Sequence, residues 1–171
     1  MRYSLSVAFA GLAATPALAG GIDMTITIPQ LKVAEYHKPY VAVWIEQPGA
    51  ATAKNLALWY DHDKAKNEGA KWLRDVRTWW RKAGRSLQLP ADGITGATRA
   101  PGPQKVTLTE GKGPLGTLAP GYYVLVVEAA REVGGRELLR LPFAWPARGA
   151  AQTVRADGKT ELGAVTAVIR P

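Results

Sequence analysis

Apolar and polar positions alternate over residues 22–28, with Ile22, Met24, Ile26 and Ile28 on one side and Asp23, Thr25 and Thr27 on the other. A period of two sends successive side chains to opposite faces, so this stretch predicts a half-buried strand ending at Pro29. Residues 40–46 (Y-V-A-V-W-I-E) are almost continuously apolar, the pattern of a strand central in a sheet. Gln47-Pro48-Gly49 turns the chain, and residues 55–60 (N-L-A-L-W-Y) predict the hairpin partner. Alternation returns over 104–110. Residues 122–131 and 136–145 predict a hairpin joined around Gly134-Gly135. A last pair, 152–155 and 163–169, flanks the turn Ala156-Asp157-Gly158-Lys159.

The period changes once. From Ala70 to Ala83 the apolar residues fall at Trp72, Leu73, Val76, Trp79, Trp80 and Ala83, offsets that trace one face of an α-helix. Lys71, Arg74, Arg77, Arg81 and Lys82 lie mostly off that face, and Gly84 is placed to stop the helix. The segment predicts one helix packed on a sheet with a solvated basic back; a sharper alternative has its aromatic face or C-terminal arginines also border the 92–99 loop. The fold class expected is mostly β, an immunoglobulin-like antiparallel β-sandwich with one inserted amphipathic helix over about 70–83. Repeated β-α-β alternation is absent, which argues against a nucleotide-binding parallel sheet.

Composition adds a compartment. Arg2, the apolar stretch from Leu5 to Ala14, and Ala17-Leu18-Ala19 form the three parts of a signal peptide over residues 1–19. Residues 20–171 are then one exported, periplasmic β-sandwich domain. No apolar run is long enough to span a membrane. The chain has no cysteine, which excludes disulfides, thiolate metal sites and thiol redox chemistry. Its formal charge of +8 falls to +7 without Arg2 and favours anionic partners or surfaces; an exported chain is not expected to meet nucleic acid.

Most candidate chemistry fails on its own requirements. Gly111-Lys112-Gly113-Pro114-Leu115-Gly116 matches G-x-G-x-x-G, but Thr117-Leu118-Ala119-Pro120-Gly121 cannot supply the helix N-terminus that binds a pyrophosphate. Asp61-His62-Asp63 reads as a solvated turn, because adjacent residues rarely ligate one ion and the only other histidine is His37. Ser86 is the only serine beyond residue 19, and no nucleophile elbow is present. Glu46, Glu128, Glu132 and Glu137 lie on or beside strands with nothing to pair them across a cleft. Trp44, Trp59 and Trp145 read as core.

There remains Asp92-Gly93-Ile94-Thr95-Gly96-Ala97-Thr98-Arg99, a small, polar, turn-forming stretch. Two threonines separated only by Gly and Ala leave at least one hydroxyl unobstructed; the plain alternative is a surface turn with local hydrogen bonds. D-G-I-T-G-A-T resembles the acceptor motif of proteins modified by the FAD:protein FMN transferase of the bacterial periplasm, such as the FMN-carrying subunits of sodium-pumping NADH:quinone reductases. The resemblance implies FMN joined as a phosphoester to Thr98, with Asp92, Gly93, Thr95, Gly96 and Ala97 as the flanking motif. Arg99, with Arg85 and Lys82 nearby in sequence, would pair with the phosphate.

The wider chain is similar to exported bacterial proteins of domain-of-unknown-function family 2271. The similarity lies in residues 39–46, 56–60, Trp79-Trp80-Arg81, D-G-I-T-G-A-T-R, and 121–132. It implies a periplasmic domain associated with flavin transferases and PepSY-type membrane proteins. The expectation is an electron carrier with covalent FMN on Thr98, served by a membrane reductase, rather than an enzyme with its own substrate. The alternative is a cofactor-free binding or accessory sandwich that contacts a partner protein. A small-molecule enzyme is disfavoured because no catalytic constellation is visible.

Overall fold

A computed structural model of the chain describes residues 20–171; the signal peptide expected over residues 1–19 lies outside them. The described residues form nine strands: β1 (Gly21–Ile28), β2 (Tyr40–Glu46), β3 (Ala53–Trp59), β4 (Thr95–Gly96), β5 (Gly102–Thr109), β6 (Gly121–Ala130), β7 (Arg136–Trp145), β8 (Gln152–Asp157) and β9 (Ala164–Arg170). They make a four-stranded sheet in the order β5-β1-β9-β8 and a five-stranded sheet in the order β4-β3-β2-β6-β7. Every pairing is antiparallel except β3 with β4, which is parallel. The three expected hairpins form, β2–β3, β6–β7 and β8–β9.

Alternation decides which sheet face goes inward. Ile22, Met24, Ile26 and Ile28 of β1 meet Val41, Val43 and Ile45 of β2, Leu125 and Val127 of β6, and Val165, Ala167 and Ile169 of β9 in one core between the sheets. At about 25 cal/mol per Å² of apolar surface removed from water, this layer supplies the main driving force for the fold.

A second, smaller core explains why β2 lacks alternation. Tyr40, Ala42 and Trp44 point away from the first core, towards Leu73, Val76 and Trp79 of the segment that follows β3. All of β2 is therefore buried, one face under the opposite sheet and one under this segment. The segment is not the single α-helix the sequence predicts. It is a 3-10 run over Ala65–Asp75, broken at Lys66 and Asn67 by left-handed backbone angles, then a short α-helix α1 (Arg77–Lys82), then a 3-10 turn over Gly84–Ser86. A 3-10 helix repeats every three residues. Leu73 near the end of the 3-10 run, Val76 between the two helices and Trp79 in α1 are fully buried, while Trp72 turns outward and is 51% exposed.

α1 is anchored by a carboxylate from the sheet. Glu128 on β6 has no exposed surface, and its two oxygens accept the backbone N–H groups of Thr78 and Trp79 at 3.0 and 2.8 Å. Arg136 on β7 completes the carboxylate's hydrogen bonding at 2.6 Å. The indole N–H of Trp79 donates to Asn55 of β3 at 2.8 Å, fixing the helix across three strands.

Candidate functional site

The 92–99 loop enters the sheet as β4. Gly93 takes a positive φ of 75° at the turn, a conformation glycine adopts without the strain a side chain would bring. The Thr95 hydroxyl accepts the backbone N–H of Ala91 at 2.9 Å and closes the turn. Two backbone bonds then tie the loop to β3, Leu58 N–H to the Ile94 carbonyl at 2.7 Å and Tyr60 N–H to the Gly96 carbonyl at 3.0 Å. The parallel register sets Leu58 beside Thr95 and Trp59 beside Gly96.

Carried two residues further, that register brings Thr98 alongside Asp61. Thr98 Oγ1 donates to Asp61 Oδ1 at 3.1 Å. The other carboxylate oxygen, Oδ2, holds Lys64 Nζ at 3.1 Å. Asp61 is further fixed from behind by Gly69, where a Cβ would lie 2.0 Å from the Asp61 carbonyl oxygen, so only glycine lets the 3-10 run pass this close.

Thr98 and Asp61 stand on the wall of an open cavity of about 250 Å³. Tyr36, Tyr40, Lys38, Lys64 and the outward-facing Trp72 also line it. Burial, reinforced by the negative charge of Asp61, pushes the Tyr40 phenol up to about 12, so it remains neutral. The Tyr36 hydroxyl is buried without a hydrogen-bond partner among the described residues. Around the half-buried Thr98 hydroxyl and the exposed Trp72 indole, the lining combines three cations, Lys38, Lys64 and Arg131, with three carboxylates, Asp61, Asp75 and Glu132.

The other motif residues face elsewhere. Arg99 lies over the Trp59 ring at 5.2 Å and, with Gly93, Thr95 and Gly96, lines a separate shallow depression against Pro114. Asp92 and Ala97 are exposed. Lys82 pairs with the buried Glu46, and Arg85 is exposed in the turn after α1. The cations that share the cavity with Thr98 are Lys38, Lys64 and Arg131, not Lys82, Arg85 or Arg99. The Gly111–Gly116 stretch is a closed loop, Gly111 N–H to the Gly116 carbonyl at 2.8 Å, followed by irregular chain. No group of three His, Cys, Asp or Glu side chains suited to a metal ion occurs among the described residues.

The family described as predicted periplasmic protein (DUF2271) matches residues 21–164, a span holding β1 to β8, the helical segment and the 92–99 loop. The chain belongs to the DUF2271 family. DUF2271 membership assigns the domain to the periplasm. No curated protein and no solved structure matches it. No helix among the described residues of this DUF2271 domain is long and apolar enough to cross a membrane.

Sequence reasoning missed Asp61 and Lys64. Asp61 reads as a solvated turn residue beside His62 and Asp63, and only the parallel β3–β4 register reveals its partner. Trp72 belongs to the aromatic face the sequence offers to the 92–99 loop, and the 3-10 geometry of its segment turns it outward onto the cavity that holds Thr98.

Proposed function

We propose that this DUF2271 domain is a periplasmic flavoprotein carrying FMN as a phosphoester on Thr98, and that it relays electrons between a PepSY-type membrane reductase and a further acceptor. Its two-sheet arrangement is taken as immunoglobulin-like, a rigid frame for a covalently held cofactor. The observation that carries the reading is the pairing of an acceptor-like threonine with an exposed tryptophan on one cavity. Thr98 offers its hydroxyl there, and Trp72, costly to leave half in water, offers a flat apolar surface.

The roles follow from what each side chain offers. Thr98 provides the attachment oxygen. Lys38 and Lys64 offset the single negative charge of a phosphodiester. Trp72 stacks, and Tyr36 has an unused hydroxyl to orient a polar ring edge. Bound flavin supplies one- and two-electron redox chemistry that these residues lack, and the surrounding protein tunes it by stacking, hydrogen bonding and exclusion of water. The flanking Asp92, Gly93, Thr95, Gly96 and Ala97 form the presented turn that the FAD:protein FMN transferase would recognise.

Co-production with that transferase in a periplasm, followed by denaturation and desalting, tests the reading. Flavin absorbance that stays with the unfolded chain supports it, and a colourless chain from cells that label a known acceptor contradicts it.

A second reading is favoured by the outer surface of the helical segment. Arg77, Arg81 and Arg85 are exposed and form no ion pair among the described residues. That surface suits a cofactor-free accessory domain docking on an acidic partner. A colourless chain that binds such a partner would support it.

A further inference from the structure

The Thr98–Asp61 contact adds little to the fold. The loop and β3 are already joined by the Leu58–Ile94 and Tyr60–Gly96 backbone bonds. Asp61 and Lys64 are 35% and 47% exposed, so this side-chain cluster is partly solvated and screened. Asp61 is nevertheless tightly placed, by Lys64 on one oxygen and by the Gly69 backbone behind it. The contact also exists only while Thr98 is unmodified. An esterified Thr98 has no proton to donate, and its phosphate would face the carboxylate.

Resting on the flavin-acceptor reading, we infer that Asp61 is the general base for modification of Thr98, supplied by the acceptor protein itself. The reaction class is transfer of FMN from FAD to a hydroxyl. Thr98 Oγ1 forms a bond to the phosphorus of the FMN half of FAD. The pyrophosphate P–O bond breaks, and AMP leaves with its electron pair. The hydroxyl proton passes to Asp61 Oδ1 and then to water. Nothing is oxidised or reduced. Lys64 aims the carboxylate beforehand and lies between the two anions afterwards, once phosphodiester and aspartate face each other.

Donor and acceptor are already in hydrogen-bond contact at 3.1 Å, somewhat long for O–H···O, and such contacts commonly tighten when the reaction partner binds. A base held in advance distinguishes Thr98 from Thr95 of the same motif, whose oxygen is engaged by the Ala91 N–H.

The test uses the domain beginning at Gly20, the purified transferase and FAD, with adduct followed by intact mass over time at several acceptor concentrations. Asp61→Asn keeps an oxygen in place but cannot take the proton. It should lower kcat by ~100-fold or more while leaving KM for the acceptor within about threefold, with an unchanged melting temperature. Asp61→Ser, judged by the same criteria, stands in if the asparagine protein fails to fold. An Asp61→Asn rate near wild type, or a loss confined to KM, overturns the base assignment while leaving flavin attachment intact. A wild-type chain that gains no mass under conditions that label a known acceptor overturns the flavin reading and this inference with it.

Discussion

The Glu128 carboxylate accepts the backbone N–H of Trp79 at 2.8 Å from a position with no solvent exposure. A strand residue thus caps a helix 49 residues earlier in the chain, and the same carboxylate binds Arg136. Removing it leaves two helix N–H groups without their acceptor, while Arg136, 39% exposed, turns to water. Glu128→Ala should cost about 2–4 kcal/mol, read from urea unfolding followed by tryptophan emission. Glu128→Gln retains one acceptor for the helix and should cost less, about 1–3 kcal/mol.

Acid stability depends on Glu46. Burial pushes its carboxyl up, but hydrogen bonds from Lys82, Arg140 and Trp44 outweigh burial and bring it down to about 2. Glu137 is lowered in the same way, burial being outweighed by the backbone N–H groups of Leu162, Lys159 and Thr160. A carboxyl whose folded value lies below its unfolded one stabilises fully above the unfolded value and loses that contribution as pH falls towards the folded one. Stability should therefore decline from about pH 4.5 to about pH 2, with Glu46 accounting for something on the order of 3 kcal/mol. Unfolding free energies measured across that range should show a shallower decline in Glu46→Gln than in wild type.

Gly69→Ala tests the packing behind Asp61. The new Cβ would sit 2.0 Å from the Asp61 carbonyl oxygen, a backbone atom that cannot rotate away. The substitution should destabilise by about 1–3 kcal/mol in urea titration and displace Asp61 from Thr98, slowing flavin transfer as well.

Trp72→Ala separates a binding role from a packing one. Half-exposed and outside both cores, Trp72 contributes little to stability, and its removal should change the unfolding free energy by no more than about 0.5 kcal/mol. The proposed stacking of this indole on the flavin predicts that the flavin-loaded variant fluoresces more strongly than wild type. Equal emission from the two proteins would remove Trp72 from the site.

Strands were legible because burial on one face writes a period of two into the sequence. Ile22 to Ile28 shows this, and the unbroken apolar run of β2 correctly marks a strand covered on both sides. Glu128 was visible as a charge inside the apolar run of β6, yet nothing local shows that its partner is the start of a helix. The helical segment misleads because it is a 3-10 run and a short α-helix with a non-helical residue between them, whereas one continuous α-helical period makes Trp72 part of the buried face. β4 is two residues long, too short for any pattern, and the Thr98–Asp61 pair hangs on its register. The motif pointed to Thr98, while its surroundings required tertiary contacts.

The most direct measurement of the central claim is the intact mass of the domain after co-production with an active flavin transferase, beside Thr98→Ala treated identically. The account predicts a gain of about 440 Da in the first protein and none in the second. An unmodified wild-type chain, from cells in which a known acceptor is fully labelled, would contradict it, as would an equal gain in Thr98→Ala.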